Sequence, residues 1–216
     1  MKDRFVITGT GRSGTGYICK LLNELGVKCG HESIFKPDTK NVDFRDYSGD
    51  SSWLAAPFIS KFDSNIMVFH QVRDPILVVR SFVGMGFFDD EPDKSHYPYL
   101  KFIRQTKEVS QLGSVIERAL FHWVSWNKYV ENEAAADNLR YYRYQIEELT
   151  PMLIKDNILS LIGCEKTLDE IENAINKISK KTNRRQRDSS ITRESLYDYS
   201  ISEEFVALAN RYGYDY

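Results

Sequence analysis

The apolar positions along the chain change period repeatedly, and each change marks an element. Phe5 to Ile7 is a short apolar run that breaks into a glycine-rich turn at Gly9. The spacing then turns helical, with Tyr17, Ile18, Leu21, Leu22 and Leu25 on one face and Gly26 as a stop. Val27 to Cys29 reads as a short second strand running into Gly30-His31-Glu32. Residues 33 to 51 are polar and read as a surface loop. Ser51 to Ile59, cut by Pro57, reads as a partly helical, packed segment. Ile66 to Val72 is almost continuously apolar, as a central parallel strand covered on both faces requires. Asp74 as N-cap and Pro75 at the first helical position then start a helix carrying Ile76, Leu77, Val78, Val79, Phe82 and Val83. His70, inside the strand, reads as a hydrogen-bonded core histidine.

The second half continues the alternation. Gly84 to Phe102 is aromatic and glycine-hinged, and two readings stand for it: a mobile cover over a site, or a packed connection. A long helix is predicted over Gly113 to Asn132, then a strand over Leu139 to Tyr144. A helix opens near Gln145 to Leu149 and runs to Gly163, another spans Leu168 to Ile178, and a last one carries Phe205, Val206, Leu208 and Ala209. Strands alternating with helices predict an α/β fold: one domain over residues 1–216, three layers (α/β/α) around a central parallel sheet.

Composition narrows the class. Hydrophobic content of 42% and charged content of 28% are ordinary for a globular protein. A net charge of −2 argues against a nucleic-acid partner bound by bulk electrostatics. No apolar run is long enough to span a bilayer. A first strand near residue 4 leaves no room for a signal peptide, and Cys19, Cys29 and Cys164 show no paired metal spacing. The expectation is a cytoplasmic protein with reduced thiols and no metal.

The first turn carries the chemistry. Glycines at 9, 11, 14 and 16 enclose Arg12, Ser13 and Thr15 immediately before a helix. Such a loop aims backbone N–H groups at one point, and the helix start adds unpaired N–H groups and a positive dipole end. The product is an anion cradle, most often for phosphate. Gly9-x-Gly11-x-x-Gly14 also matches the dinucleotide fingerprint, with Glu32 near the place of a ribose-binding acid. The nucleotide triphosphatase loop needs Gly-Lys-Ser/Thr, and Gly14 is followed by Thr15 and Gly16 instead.

Taken with the later Arg73-Asp74-Pro75 junction and Ser81, eight residues past Arg73, the Arg12-Ser13-Gly14-Thr15-Gly16 loop resembles the sulfotransferase family. Its style is similar to bacterial and tyrosylprotein-type members. The resemblance implies a P-loop-like nucleotide-binding fold and the co-substrate 3′-phosphoadenosine 5′-phosphosulfate (PAPS). It places Gly11 to Tyr17 around the 5′-phosphosulfate end, and Arg73 and Ser81 on the 3′-phosphate. Tyr17 stacks on adenine in this reading, or is a buried helix tyrosine. Tyr144, before Glu147-Glu148-Leu149, is similar to the family's adenine-contacting tyrosine, with two residues inserted. Part of Lys180 to Arg187, including Arg184 and Arg185, closes over the nucleotide or forms a solvated basic face.

The stretch Val27 to Glu32 resembles the region where such members keep a catalytic glutamate, which implies Glu32 as general base, with His31 as alternative base or orienting group. Arg12 is the group placed to stabilise leaving-group charge. The histidine element of the steroid and phenol enzymes is absent; the corresponding place reads Ser51-Ser52-Trp53. The acceptor is a small molecule, glycan or peptide hydroxyl or amine, with Phe87 to Phe102 and the 33–51 loop expected around it. Two alternatives stay open. One is an NAD(P)-binding Rossmann oxidoreductase, whose Tyr97-x-x-x-Lys101 pair is interrupted by Pro98. The other is a nucleotide-binding protein without catalysis.

Overall fold

The computed structural model describes residues 4–106, 113–136, 139–178 and 190–216. Five parallel strands form one sheet: β1 (Arg4–Thr8), β2 (Cys29–His31), β3 (Gly49–Ser51), β4 (Ile66–Val72) and β5 (Arg140–Gln145). Their order is β2-β3-β1-β4-β5. The helices are α1 (Thr15–Glu24), α2 (Pro75–Val83), α3 (Tyr97–Thr106), α4 (Val115–Ala136), the single turn α5 (Pro151–Leu153), α6 (Leu168–Lys177) and α7 (Ser202–Arg211).

Side chains alternate across the sheet, as the two-residue repeat of a strand demands. Val6 and Val68 face one core with α2, α4, α7 and the 3-10 segment Trp53–Lys61. Phe5, Ile7, Met67 and Phe69 face the other, with α1, α6 and the turns around Ile154 to Ile162. Two apolar cores on two faces of one sheet make the three layers. His70 is buried in β4, with Nδ1 2.7 Å from the Tyr141 hydroxyl and Nε2 2.9 Å from Asn127 Oδ1.

The strand order decides where a ligand can sit. β1 lies between β3 and β4, and the chain reaches β2 and β3 on one side of it before crossing to β4 and β5 on the other. The carboxyl end of β1 is therefore a topological switch point, where open α/β sheets hold ligands. A dinucleotide fold sets strand 2 directly beside strand 1. Here β3 intervenes.

Three local expectations are corrected. Residues 33–51 are not all loop, because Gly49-Asp50-Ser51 forms the buried strand β3. No β-branched or aromatic residue announces it; a Cβ at Gly49 would lie 2.5 Å from the Phe5 ring and carbonyl, so glycine is what lets β3 lie against β1. Pro98 does not break a helix; it sits in the first turn of α3, where its missing N–H costs nothing. Tyr97 and Lys101 thus share a helix, but both are exposed and neither faces the cavity described below. After β5 the chain makes a 3-10 turn (Ile146–Glu148), restarts at Thr150, and passes through a π segment (Ile154–Leu159) before Gly163, so no single helix spans the stretch. Among the described residues no helix is long and apolar enough to cross a membrane.

Candidate functional site

The loop between β1 and α1 is built for close approach. A Cβ at Gly9 would lie 2.1 Å from the Gln71 carbonyl oxygen of β4. Gly14 is the N-cap of α1 at φ +97°, and a Cβ there would lie 2.1 Å from Ile146 Cδ1. No side chain caps α1 and no acid occupies its first turn, so the helix start presents N–H groups and positive dipole end to a ligand. From below, Gln71 Nε2 donates to the Ser13 carbonyl at 2.8 Å, and the Tyr144 hydroxyl donates to Gln71 Oε1 at 2.6 Å. From the side, Ser51 Oγ donates to the Thr15 carbonyl at 2.9 Å. Strands β3 and β4 thus each fasten the loop through one polar side chain, and β5 braces the one from β4.

Arg12 takes a left-handed conformation, φ +69°, and its Nε donates to Ser81 Oγ at 2.9 Å. Arg73, at the carboxyl end of β4, donates from Nη1 to the Arg12 carbonyl at 2.9 Å. Its Nε lies 3.9 Å from Glu147 Oε1. Glu147 also accepts from the Asp74 N–H at 3.2 Å and from the Tyr214 hydroxyl at 3.0 Å. Asp74 caps α2 and accepts the Tyr216 hydroxyl at 2.6 Å and Arg193 at 3.0 Å. The two strand-to-helix junctions, separate in sequence, form one basic corner.

Glu32 follows β2 and is the other left-handed residue besides glycine among the described residues, at φ +52°. Burial raises its pKa above the ordinary carboxylate range, and the nearby Asp50 charge adds to this, against the Trp53 side chain and Arg12. Asp50 accepts the N–H groups of Ser33, Ile34 and Phe35 at 3.2, 3.3 and 3.3 Å, fixing the chain just past Glu32. His31 Nε2 lies 3.3 Å from Thr15 Oγ1. Partial burial lowers its pKa, helped by the Lys20 and Arg12 charges, which favours the neutral imidazole.

These groups open onto one cavity of about 880 Å³. Gly11, Arg12, Gly14, Thr15, Gly16, Tyr17 and Arg73 line its loop end, with His31, Glu32 and Glu147 beside them. Trp53, Phe82, Met85, Phe87, His96 and Tyr99 also line it, with Phe82 and Trp53 against Gly11. Gly84 to Phe102 is a packed connection, with Phe87 and Phe88 buried, that contributes this aromatic wall. The 33–51 segment does not line it.

Three predicted site residues lie off the wall. Ser13 is fully buried, and its carbonyl rather than its hydroxyl is bonded by Gln71. Ser81 sits behind Arg12, 4% exposed. Tyr144 is 4% exposed with its hydroxyl committed to Gln71, and it does not line the cavity. Arg184 and Arg185 fall outside the described residues. Sequence reasoning missed Gln71, Asp50, Trp53 and Glu147 as parts of the site. Gln71 had a signal, an amide inside an apolar strand; Asp50 had none, because its strand was not recognised. Among the described residues no group of three or more His, Cys, Asp or Glu is arranged to hold a metal ion.

No family model and no curated protein matches the sequence. Among solved structures, the chain is similar to a sulfotransferase domain from the curacin biosynthetic pathway, with a TM-score of 0.60 at 13% identity, over 100% of this chain and 99% of that one. At that identity the likeness establishes the fold.

Proposed function

We propose that the protein transfers a sulfuryl group from PAPS to a hydroxyl or amine of an acceptor, with Glu32 as general base. One observation carries the reading most: among the described residues, the two non-glycine residues held in left-handed strain are Arg12 and Glu32, and both face the same cavity. Strain of this kind costs about 1–3 kcal/mol and persists where surrounding structure holds it for a purpose. The cradle fits the donor: a helix start without cap or acid, a loop whose backbone is kept bare at Gly14, and two guanidinium groups beside it.

The donor supplies, when bound, a sulfuryl group on a phosphate leaving group. Glu32 takes the proton of the acceptor; its raised pKa makes it a better base than a solvated carboxylate. Arg12 and the loop N–H groups meet charge growing on phosphate oxygen, in a site where those dipoles are already oriented. Arg73, at the start of α2, holds a second phosphate, with Ser81 acting through Arg12. His31, neutral and near Thr15, orients the acceptor or the loop hydroxyl.

The reading is tested by thermal shift with 3′-phosphoadenosine 5′-phosphate (PAP), NAD, ATP and 5′-AMP. Stabilisation by PAP above the others is the expected result, and NAD winning over PAP would reject it. Replacing Glu32 by Gln is expected to lower turnover roughly 100- to 10,000-fold while PAP still binds.

A further inference from the structure

We infer that the acceptor is a small, uncharged, ring-bearing alcohol, gripped beside Glu32 by Trp53 and Tyr99. The inference rests on the sulfuryl-transfer reading and names the substrate class of that site.

Charge on the described wall of the cavity is confined to four side chains. These are Arg12, Glu32, Arg73 and Glu147, and the two cations sit at the glycine loop and the Arg73 junction. The same wall carries Trp53, Phe82, Met85, Phe87, His96 and Tyr99. An acidic peptide or a sulfated glycan needs cations along its path, which this wall lacks away from Arg12 and Arg73; for a neutral acceptor, ring faces outnumber the hydrogen-bonding side chains Ser95, His96 and Tyr99. Aromatic faces recognise other rings by offset or tilted stacking.

The rings are fixed in place. Trp53 is 7% exposed, tilted 32° from Tyr99 at 6.0 Å, and edge-on to Phe102 at 6.1 Å. Its carbonyl accepts the Trp126 indole N–H at 3.1 Å. Phe87 packs on Phe82 at 5.2 Å and on His96 at 5.0 Å. A wall held this way selects by shape, since no side chain has to be ordered on binding.

The base is set into the same wall. Glu32, Trp53 and Tyr99 line the same cavity, and the Glu32 charge raises the Tyr99 hydroxyl pKa beyond what burial does. Trp53 and Tyr99 pack on each other with centroids 6.0 Å apart, so a nucleophile reaching Glu32 arrives against the wall this ring pair forms. In the transfer, the acceptor oxygen bonds to sulfur, its proton passes to Glu32, and the bridging S–O bond breaks with its electron pair staying on the phosphate of PAP. Size sets the remaining limit. The whole cavity, about 880 Å³, lies inside the ~300–1,000 Å³ range of single small-molecule sites. Nucleotide and acceptor must share it, which leaves room for a few fused rings rather than a chain.

The test measures binding of three probes by calorimetry, with and without saturating PAP: 2-naphthol, N-acetylglucosamine, and an acidic tyrosine-containing peptide. 2-Naphthol is expected to bind and the other two are not. Tyr99→Leu, which keeps apolar bulk and removes the ring, is expected to weaken 2-naphthol at least tenfold and to leave PAP affinity within twofold, which also certifies folding. Trp53→Leu is a second variant with the same expectation. Binding of the sugar or peptide in preference to 2-naphthol overturns the inference, as does 2-naphthol binding that neither variant changes. If PAP does not bind but 2-naphthol binds through Trp53 and Tyr99, the ring site stands and the sulfuryl-transfer reading falls.

Discussion

Arg12 Nε donates to Ser81 Oγ at 2.9 Å, joining residues 69 positions apart. The bond couples the glycine loop after β1 to the second turn of α2. It makes Ser81 a positioning residue for the loop guanidinium, although it lies behind the wall at 4% exposure. Ser81→Ala removes one of the contacts that align Arg12 without removing a charge. A hydrogen bond to a charged group contributes about 1.5–3 kcal/mol. PAP affinity is expected to fall roughly tenfold in Ser81→Ala, and further in Arg12→Ala. Arg12→Lys keeps the charge but lacks Nε, so it should resemble Ser81→Ala more than Arg12→Ala. Titration calorimetry with PAP checks the order; equal affinities for all three variants would refute it.

The pH profile should report Glu32. A base must be ionised to work, and burial holds the Glu32 pKa above the ordinary value. Turnover is therefore expected to rise with pH through a midpoint above 4.5, the ordinary value for glutamate. The Asp50 charge opposes ionisation of Glu32. Asp50→Asn removes that charge and keeps one acceptor oxygen, enough for the Ile34 and Phe35 N–H groups but not for Ser33 as well. Its acid limb should move to lower pH. A limb that stays put, or moves up, would show that Glu32 is not the titrating base.

Two glycines with positive φ make opposite forecasts. Gly26 (φ +79°) has nothing within 4 Å of a built Cβ, whereas at Gly14 (φ +97°) the Cβ meets Ile146 Cδ1 at 2.1 Å. Gly26→Ala carries only the backbone penalty, about 1–2 kcal/mol. Gly14→Ala adds an overpacking cost of about 1–3 kcal/mol. Because the atom met is the terminal methyl of a side chain, Ile146→Val should recover part of the loss in Gly14→Ala. Denaturant melts of the four proteins check this, and no recovery in the double variant would place the strain in the backbone alone.

The fold was legible where apolar runs were long. Ile66 to Val72 declared a central strand because both its faces are covered, and the layers followed from the alternation of strands and helices. β3 was hidden because Gly49-Asp50-Ser51 has no apolar side chain to bury; its place is set by Phe5 leaving room for nothing larger than glycine. In the site, Gly9 and Gly14 were readable because close approach and positive φ demand glycine there, and Arg12 stood out as the one charged residue between them. Gln71 left a trace as an amide inside an apolar strand, whereas Trp53 and Glu147 were not readable, because their roles come from segments that meet the loop only in three dimensions. Tyr144 was misplaced for the same reason: the pleat turns it under the loop, onto Gln71.

Acid should unfold the protein through two histidines. His70 and His122 are both fully buried, and burial lowers each pKa from 6.5 to about 3. The folded pKa is depressed, so between those values the unfolded chain binds the extra protons. Stability is whole above pH 6.5 and is lost as pH falls toward 3. Each histidine contributes a slope of about 1.4 kcal/mol per pH unit within that window. They differ in what replacement does. His70 bonds Tyr141 and Asn127, so removing it strands buried polar groups. His122 has no hydrogen-bond partner at either ring nitrogen and sits against Trp53, Phe82, Phe88 and Trp126 at 5.9, 5.4, 5.6 and 5.1 Å. His122→Leu therefore gives up ring contacts but no hydrogen bond. It is expected to keep stability near that of the parent at pH 7 and to reduce the acid slope by about 1.4 kcal/mol per pH unit. Urea melts between pH 4 and 7 measure the slope; an unchanged slope in His122→Leu would mean that His122 does not titrate between the folded and unfolded states.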